Sequence, residues 1–172
     1  MSDQMRDPTQ PAGPGPVPAQ AAPQSSFQIE KLYVKDLSLE VPNAPQVFMQ
    51  AESPGLEIQV GNNATQFADA LFEVTVTVTV TARSGDKTVF LAEVQQAGIF
   101  SARGIPPQDL DPLLGIGCPT ILYPYAREAI SSLVIRAGFP AVLLEPVSFE
   151  QLYMQRRQQA QAGSKIELAG GV

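Results

Sequence analysis

Phe72-Glu73-Val74-Thr75-Val76-Thr77-Val78-Thr79-Val80-Thr81 alternates apolar and polar side chains along its whole length. A repeat of two residues is the signature of a strand with one buried face. Phe72, Val74, Val76, Val78 and Val80 fall on one side, and Glu73, Thr75, Thr77, Thr79 and Thr81 on the other. Valine and threonine are β-branched, which disfavours a helix and suits a pleated surface. A sheet built on this strand has a dry face that something must cover and a wet face left flat and open.

The neighbouring segments extend the sheet. Residues 88–100 form the next strand, across Ser84-Gly85-Asp86. A loop of two or four residues would pair Val80 with Val89 and turn Glu93 into the core, where an unpaired carboxylate is costly. A three-residue loop instead pairs Val80 with Phe90. It sends Phe90, Ala92, Val94 and Gln96 inward and Leu91, Glu93 and Gln95 outward, with Gly85 in the left-handed region such loops favour. Upstream, residues 27–40 read as a long strand. Phe27, Ile29 and Lys31 share one parity with Leu37 and Leu39, while Asp36, Ser38 and Glu40 take the other. The pattern blurs near Leu32 and Tyr33, where a bend is expected. Val41-Pro42-Asn43-Ala44-Pro45 is a turn-rich break leading into a crossover rather than a hairpin. Leu56-Glu57-Ile58-Gln59-Val60 is a further strand.

After Gly104-Ile105-Pro106-Pro107 the repeat becomes helical. Asp109-Leu110-Asp111-Pro112-Leu113-Leu114 reads as a short helical turn. Ile121, Leu122, Tyr125, Ala126, Ala129, Ile130, Leu133 and Val134 recur at helical spacing. Pro124 suits only a first turn, so this helix is expected to begin between residues 120 and 123. Gly138 and Pro140 stop it. A second helix starts at Ser148, with Gln151 completing a capping box and Val147 with Leu152 a hydrophobic staple, and is expected to end near Gln161. The fold class is therefore α+β: a four-stranded antiparallel sheet with two C-terminal helices packed on one face. The first helix is apolar over more than one sheet requires, and the excess, including Tyr125, Ala129 and Leu133, suggests a subunit interface. Residues 1–26 are rich in proline, and residues 163–172 follow the last helix; both are expected to be disordered tails flanking a domain at 27–162.

Composition narrows the function. The chain has 172 residues and a net charge of −6, which argues against a nucleic-acid surface. It has no histidine and one cysteine, Cys118, which rules out histidine-dependent catalysis, histidine metal sites and an internal disulfide. No metal or cofactor is expected. No stretch resembles a signal peptide or membrane span, so a cytoplasmic location without membrane insertion is expected. Asp109 and Asp111 read as helix-start signals rather than paired catalytic carboxylates. Gly115-Ile116-Gly117 reads as turn chemistry, and Cys118 as an inert thiol. No nucleophile, base and oxyanion site assemble, so no enzyme is expected. On the wet face Asp36, Glu40, Leu91 and Glu93 point the same way, forming either a docking patch for a basic partner or a plain solvated surface. Phe48, Met49, Phe149, Leu152, Tyr153 and Met154 form either an adaptable apolar groove between the crossover and the second helix or simple core packing.

Three segments carry a resemblance: Tyr33-Val34-Lys35-Asp36-Leu37-Ser38-Leu39-Glu40-Val41-Pro42-Asn43-Ala44-Pro45, Phe90-Leu91-Ala92-Glu93-Val94-Gln95-Gln96-Ala97-Gly98-Ile99-Phe100, and Cys118-Pro119-Thr120-Ile121-Leu122-Tyr123-Pro124-Tyr125-Ala126-Arg127-Glu128. With Pro146-Val147-Ser148-Phe149 they resemble the SecB family, the chaperones of bacterial protein export. The resemblance implies a homotetramer, a dimer of dimers, that binds unfolded precursor proteins without ATP and delivers them to the SecA ATPase. It implies SecA docking at Asp36, Glu40, Leu91 and Glu93. It implies tetramer assembly governed by Ala92, Val94 and Gln96, with Ala92 smaller than the family pattern. It implies a client groove between the 43–56 crossover and the second helix, where this chain diverges and lacks tryptophan. The competing readings are a small-molecule-binding or enzymatic α+β domain with one internal pocket, and a purely structural oligomer.

Overall fold

The computed structural model describes residues 25–49 and 53–169. The N-terminal tail up to residue 24 and the last three residues lie outside that range. Four strands, β1 (Ser26–Glu40), β2 (Gly55–Ala68), β3 (Leu71–Ser84) and β4 (Lys87–Arg103), form one sheet in the order β1-β4-β3-β2, antiparallel throughout. The β1–β2 connection is the expected crossover, carrying the chain from one edge to the other, with a short 3-10 turn at Gln46–Met49.

The alternation in β3 translates directly into burial. Phe72, Val74, Val76, Val78, Val80 and Ala82 are buried, and every intervening residue from Glu73 to Thr81 is only partly covered. Each buried valine contributes about 1.5–3 kcal/mol relative to exposure. β4 matches it with Phe90, Ala92, Val94 and Gln96 inside and Leu91, Glu93 and Gln95 outside. The pairing itself differs from the expectation. The turn has two residues, Gly85 (φ 57°) and Asp86, and Ala82 rather than Val80 lies opposite Phe90. A bulge at Val89 supplies the odd residue that the loop lacks. Inward and outward sets are therefore as expected, displaced by two positions along β3.

β1 carries two bulges, between Ile29 and Lys31 and between Val34 and Asp36. Each reverses the parity of the residues beyond it. Ile29 pairs with Phe100 on the helix side, Leu32 and Val34 take that side next, and Leu37 and Leu39 resume it opposite Val94 and Ala92. Lys31, grouped by sequence parity with Phe27 and Ile29, lies on the other face opposite Ile99. β2 is far longer than the expected residues 56–60, because Gly61 to Gln66 continue the ladder on β3 despite weak strand propensity.

The helices cover the dry face. α1 (Pro107–Pro112) runs through a π-type turn (Leu113–Gly117) straight into α2 (Cys118–Arg136), so Gly115 to Gly117 are helical rather than a turn. α2 starts before Thr120 and keeps Pro124 in its interior. The cost is one backbone bond to the Thr120 carbonyl; both residues face solvent, so water can satisfy it. Leu122, Ala126, Ile130 and Val134 are fully buried against β3 and β4. Residues 139–148 lie along α2 with Val142 and Leu144 in and Leu143 out, and the Tyr123 hydroxyl donates to the Glu145 carbonyl at 2.7 Å. α3 (Phe149–Ala169) begins as expected, with the Gln151 amide donating to Ser148 Oγ at 3.3 Å. It continues past Gln161, into the expected C-terminal tail, through residues that mostly favour helix. Gly98 is required by packing: a Cβ there would lie 2.7 Å from the Phe100 ring and 3.1 Å from Leu122.

Candidate functional site

The face of the sheet opposite the helices is open, and the two strands β1 and β4 place the acidic set on it. Asp36 lies opposite Gln95, Ser38 opposite Glu93, and Glu40 opposite Leu91. Asp36, Glu40, Leu91 and Glu93 thus occupy one patch, about 14 Å long and one strand spacing wide. Asp36 and Glu40 are exposed, and Leu91 and Glu93 are half covered by their neighbours. Glu93 is held in place: Thr79 Oγ1 donates to it at 2.9 Å and Gln95 Nε2 at 3.5 Å. A leucine among three carboxylates, one of them held in place, suits a basic partner that carries an apolar contact.

A second cluster on the same face was not legible in the sequence. Glu73 on β3 accepts hydrogen bonds from the Tyr33 hydroxyl and from Lys35 Nζ, the latter an ion pair at 2.6 Å. Both donors come from β1 and reach across β4. Lys35 and Tyr33 lower the Glu73 carboxyl below its ordinary value of 4.5, and the same bond, with some burial, pushes the Tyr33 hydroxyl up to about 12. For Glu73, the stabilisation is complete above 4.5 and is lost as pH falls through the lowered value. For Tyr33, it is complete below 10.0 and is lost as pH rises through about 12. The exposed setting limits the ion pair to less than about 1 kcal/mol. The stability advantage of the natural chain over Glu73→Gln is expected to be constant near neutrality and to be lost as pH falls below 4.5 through the lowered value. Thermal melts at stepped pH check this, and an advantage undiminished in acid would contradict it.

The residues expected to govern assembly divide into two groups. Ala92, Val94 and Gln96 are buried inside the protomer, beneath α2 and beside β1. They face no free surface, so any influence on assembly passes through the elements they support. Tyr125, Ala129 and Leu133 form a second stripe on α2 beside the buried one, with Tyr125 half exposed and the other two partly covered.

Among the described residues, the six expected groove residues lie in two places, toward opposite ends of α2. Phe48 stacks on Phe139 at 5.1 Å, Phe139 meets Phe90 at 4.9 Å, and Met49 stands exposed beside them, all near the C-terminal end of α2. Phe149 is buried and packs edge-on against Tyr123 near the other end of α2, so it is core. Leu152 packs beside it, Tyr153 covers Gly115, and Met154 is exposed. Sequence reasoning missed Phe139 and the exposed Leu143; the signal was an apolar residue directly after the Gly138 stop. Gly138 is required by its backbone, whose φ of 91° other residues rarely adopt, and it lies beside the Phe48 ring.

Clefts lined by described residues include a pair beside α3 and α2. One, of about 440 Å³, lies between β2, the π-type turn and α3; the other, of about 300 Å³, lies between α2 and the 142–144 strap. Both are open to solvent. Among the described residues no acidic, cysteine or histidine group could hold a metal, and no helix is long and apolar enough to cross a membrane. Cys118 is fully buried, and desolvation pushes its thiol up to about 12, so little reactive thiolate exists at neutral pH.

A four-stranded antiparallel sheet with helices on one face and an open second face defines a class seen in a solved SecB-like chaperone of Mycobacterium tuberculosis, determined with a peptide from an antitoxin. That chain has a TM-score of 0.56 and 22% identity, covering 70% of this chain and 90% of its own. The profile of the family described as "Preprotein translocase subunit SecB" matches residues 20–160. Protein-export protein SecB of Chromobacterium violaceum is 61% identical over 142 residues, covering 82% of this chain and 95% of that protein. SecB of Methylobacillus flagellatus is 57% identical over 136 residues, covering 79% and 87% respectively. The chain belongs to the SecB family of protein-export chaperones.

Proposed function

We propose that this chain is an ATP-independent holdase of the cytosol that binds unfolded precursor proteins, keeps them competent for translocation and hands them to the SecA ATPase. Family membership carries the reading, and the surfaces support it. The Phe48–Phe139–Met49 cluster offers adaptable apolar contacts, and Leu143 adds another at 82% exposure. Ile29, Val34 and Leu37 on the helix side of β1 are each nearly half exposed, as is Tyr125 on α2. So much uncovered apolar surface on the helix side suits burial between subunits in a homotetramer, a dimer of dimers. Copies of a weak client site on one particle then act multivalently. The acidic patch lies on the other face and stays available to SecA while the helices are engaged.

Chemically unfolded client diluted into buffer without nucleotide tests this directly. Light scattering is expected to be suppressed near one tetramer per client, with native mass spectrometry showing a tetramer that gains one precursor chain. Undiminished aggregation at an excess of tetramer would refute the holdase reading.

A further inference from the structure

We propose that Tyr33, Lys35, Glu73 and Gln96 are positioning residues for the acidic patch: they grip the stretch of β1 between its two bulges from both faces of the sheet, and so fix the side from which Asp36 and Glu40 project. The inference rests on the docking reading above and deepens it.

The parity of β1 makes such a grip necessary. Inward residues are odd-numbered up to Ile29, even-numbered at Leu32 and Val34, and odd-numbered again at Leu37 and Leu39. The second bulge, at Lys35, returns Asp36, Ser38 and Glu40 to the open face. Losing it by a one-residue slip would turn those side chains toward the helices and Leu37 and Leu39 to the outside. Within a single protomer, burial specifies this register less strongly than it does that of β3. β1 is an edge strand, and Ile29, Val34 and Leu37 remain 47%, 49% and 47% exposed on its inward side, against 0% for Val74 to Val80 on β3's inward face.

Specific bonds act where burial is weaker. On the open face the Tyr33 side chain lies over Ala97, its pairing partner, and its hydroxyl reaches Glu73. Lys35, the bulged residue itself, reaches the same carboxylate. From the helix side, Gln96 is buried at 4% exposure and its Nε2 donates to the Tyr33 carbonyl at 3.0 Å. Gln96 thus ties the backbone of β1 two residues before the bulged Lys35. Three bonds from two strands therefore converge on residues 33–35, immediately before the first acidic residue of the patch.

The test uses the full chain with Glu73→Leu, Glu73→Gln and, as reference, Asp36→Ala. In the free tetramer, the amides of Lys35, Asp36 and Leu37 are expected to exchange about tenfold faster in Glu73→Leu. SecA is expected to bind that variant about tenfold more weakly, with client holding unchanged. Glu73→Gln keeps an acceptor for the Tyr33 hydroxyl and is expected to fall between. Exchange equal to that of the natural chain would show that the bonds do not hold the bulge, and would overturn the inference. Faster exchange with undiminished SecA affinity, while Asp36→Ala binds poorly, would overturn the positioning role and leave the docking patch standing. Normal SecA binding by Asp36→Ala would remove the docking reading, and this inference with it.

Discussion

Val94→Arg is expected to unfold the protomer before it separates any pair of subunits. Val94 is fully buried on β4, opposite Leu37 of β1 and Val78 of β3, on the face that α2 covers. The resemblance that marks this position for tetramer assembly would suggest a surface residue, and the structure gives it no surface. A guanidinium there has no carboxylate to pair with, and an uncompensated buried charge costs about 3–5 kcal/mol. A domain of this size has about 5–15 kcal/mol in all. The melting temperature is expected to fall by about 10–20 °C, with α2 losing its seat and assembly failing as a consequence. Val94→Ala separates size from charge: it should cost about 2 kcal/mol and keep the tetramer. Circular dichroism melts paired with sedimentation check both. A folded Val94→Arg dimer melting with the natural chain would show that the residue acts at a subunit contact instead.

That result depends on knowing which side of β4 is buried, and the side was readable from residues 72–81 and Glu93 alone. The partner of each residue was not. A two-residue turn with a bulge at Val89 and a three-residue loop without one place the same side chains inside, so no hydrophobic pattern distinguishes them. The same ambiguity hid the middle of β1. Its two bulges cancel, leaving Phe27, Ile29, Leu37 and Leu39 in a consistent odd register while Leu32 and Val34 change side between them. The outer half of β2 was unreadable for another reason. Asn62 sits there because the Arg156 guanidinium donates to its carbonyl at 3.1 Å and to its side chain, a contact from a residue 94 positions away. Pro124 misled in the opposite direction, since a proline facing solvent costs the helix one bond and not its continuity.

The candidate sites divide in the same way. The acidic patch was legible because alternation fixes a face and the crossover sets β1 beside β4. The apolar groove was not, because it depends on which loop meets which helix end. Phe48 finds Phe139 after α2, whereas Phe149 finds Tyr123 near its start. The Tyr33–Lys35–Glu73 cluster joins strands that are not sequence neighbours, through a bulge that no local pattern reports.

Glu93→Lys is expected to weaken SecA binding at least about thirtyfold, on the order of 2 kcal/mol, while leaving the tetramer and client holding intact. The carboxylate lies between Leu91 and Gln95 on β4 and beside Ser38, with Asp36 and Glu40 at either end of the neighbouring row. Thr79 and Gln95 already orient it, so a basic partner meets a charge that needs little reordering. Lysine reverses that charge and leaves the Thr79 hydroxyl without its acceptor. The substitution lies on the face away from the helices and at a half-covered site, so the core is not disturbed. Glu93→Gln separates the two contributions: it keeps an acceptor for Thr79 and removes only the charge, so its loss of affinity should be smaller. The natural chain's affinity should also fall with added salt, and more steeply than that of either variant, because exposed charges are screened within about 8–10 Å at physiological ionic strength. Calorimetry of SecA against the three proteins, at low and moderate salt, measures all of this. If Glu93→Lys bound SecA as tightly as the natural chain, the docking surface would have to lie elsewhere, and the acidic row on β1 and β4 would be no more than a solvated face.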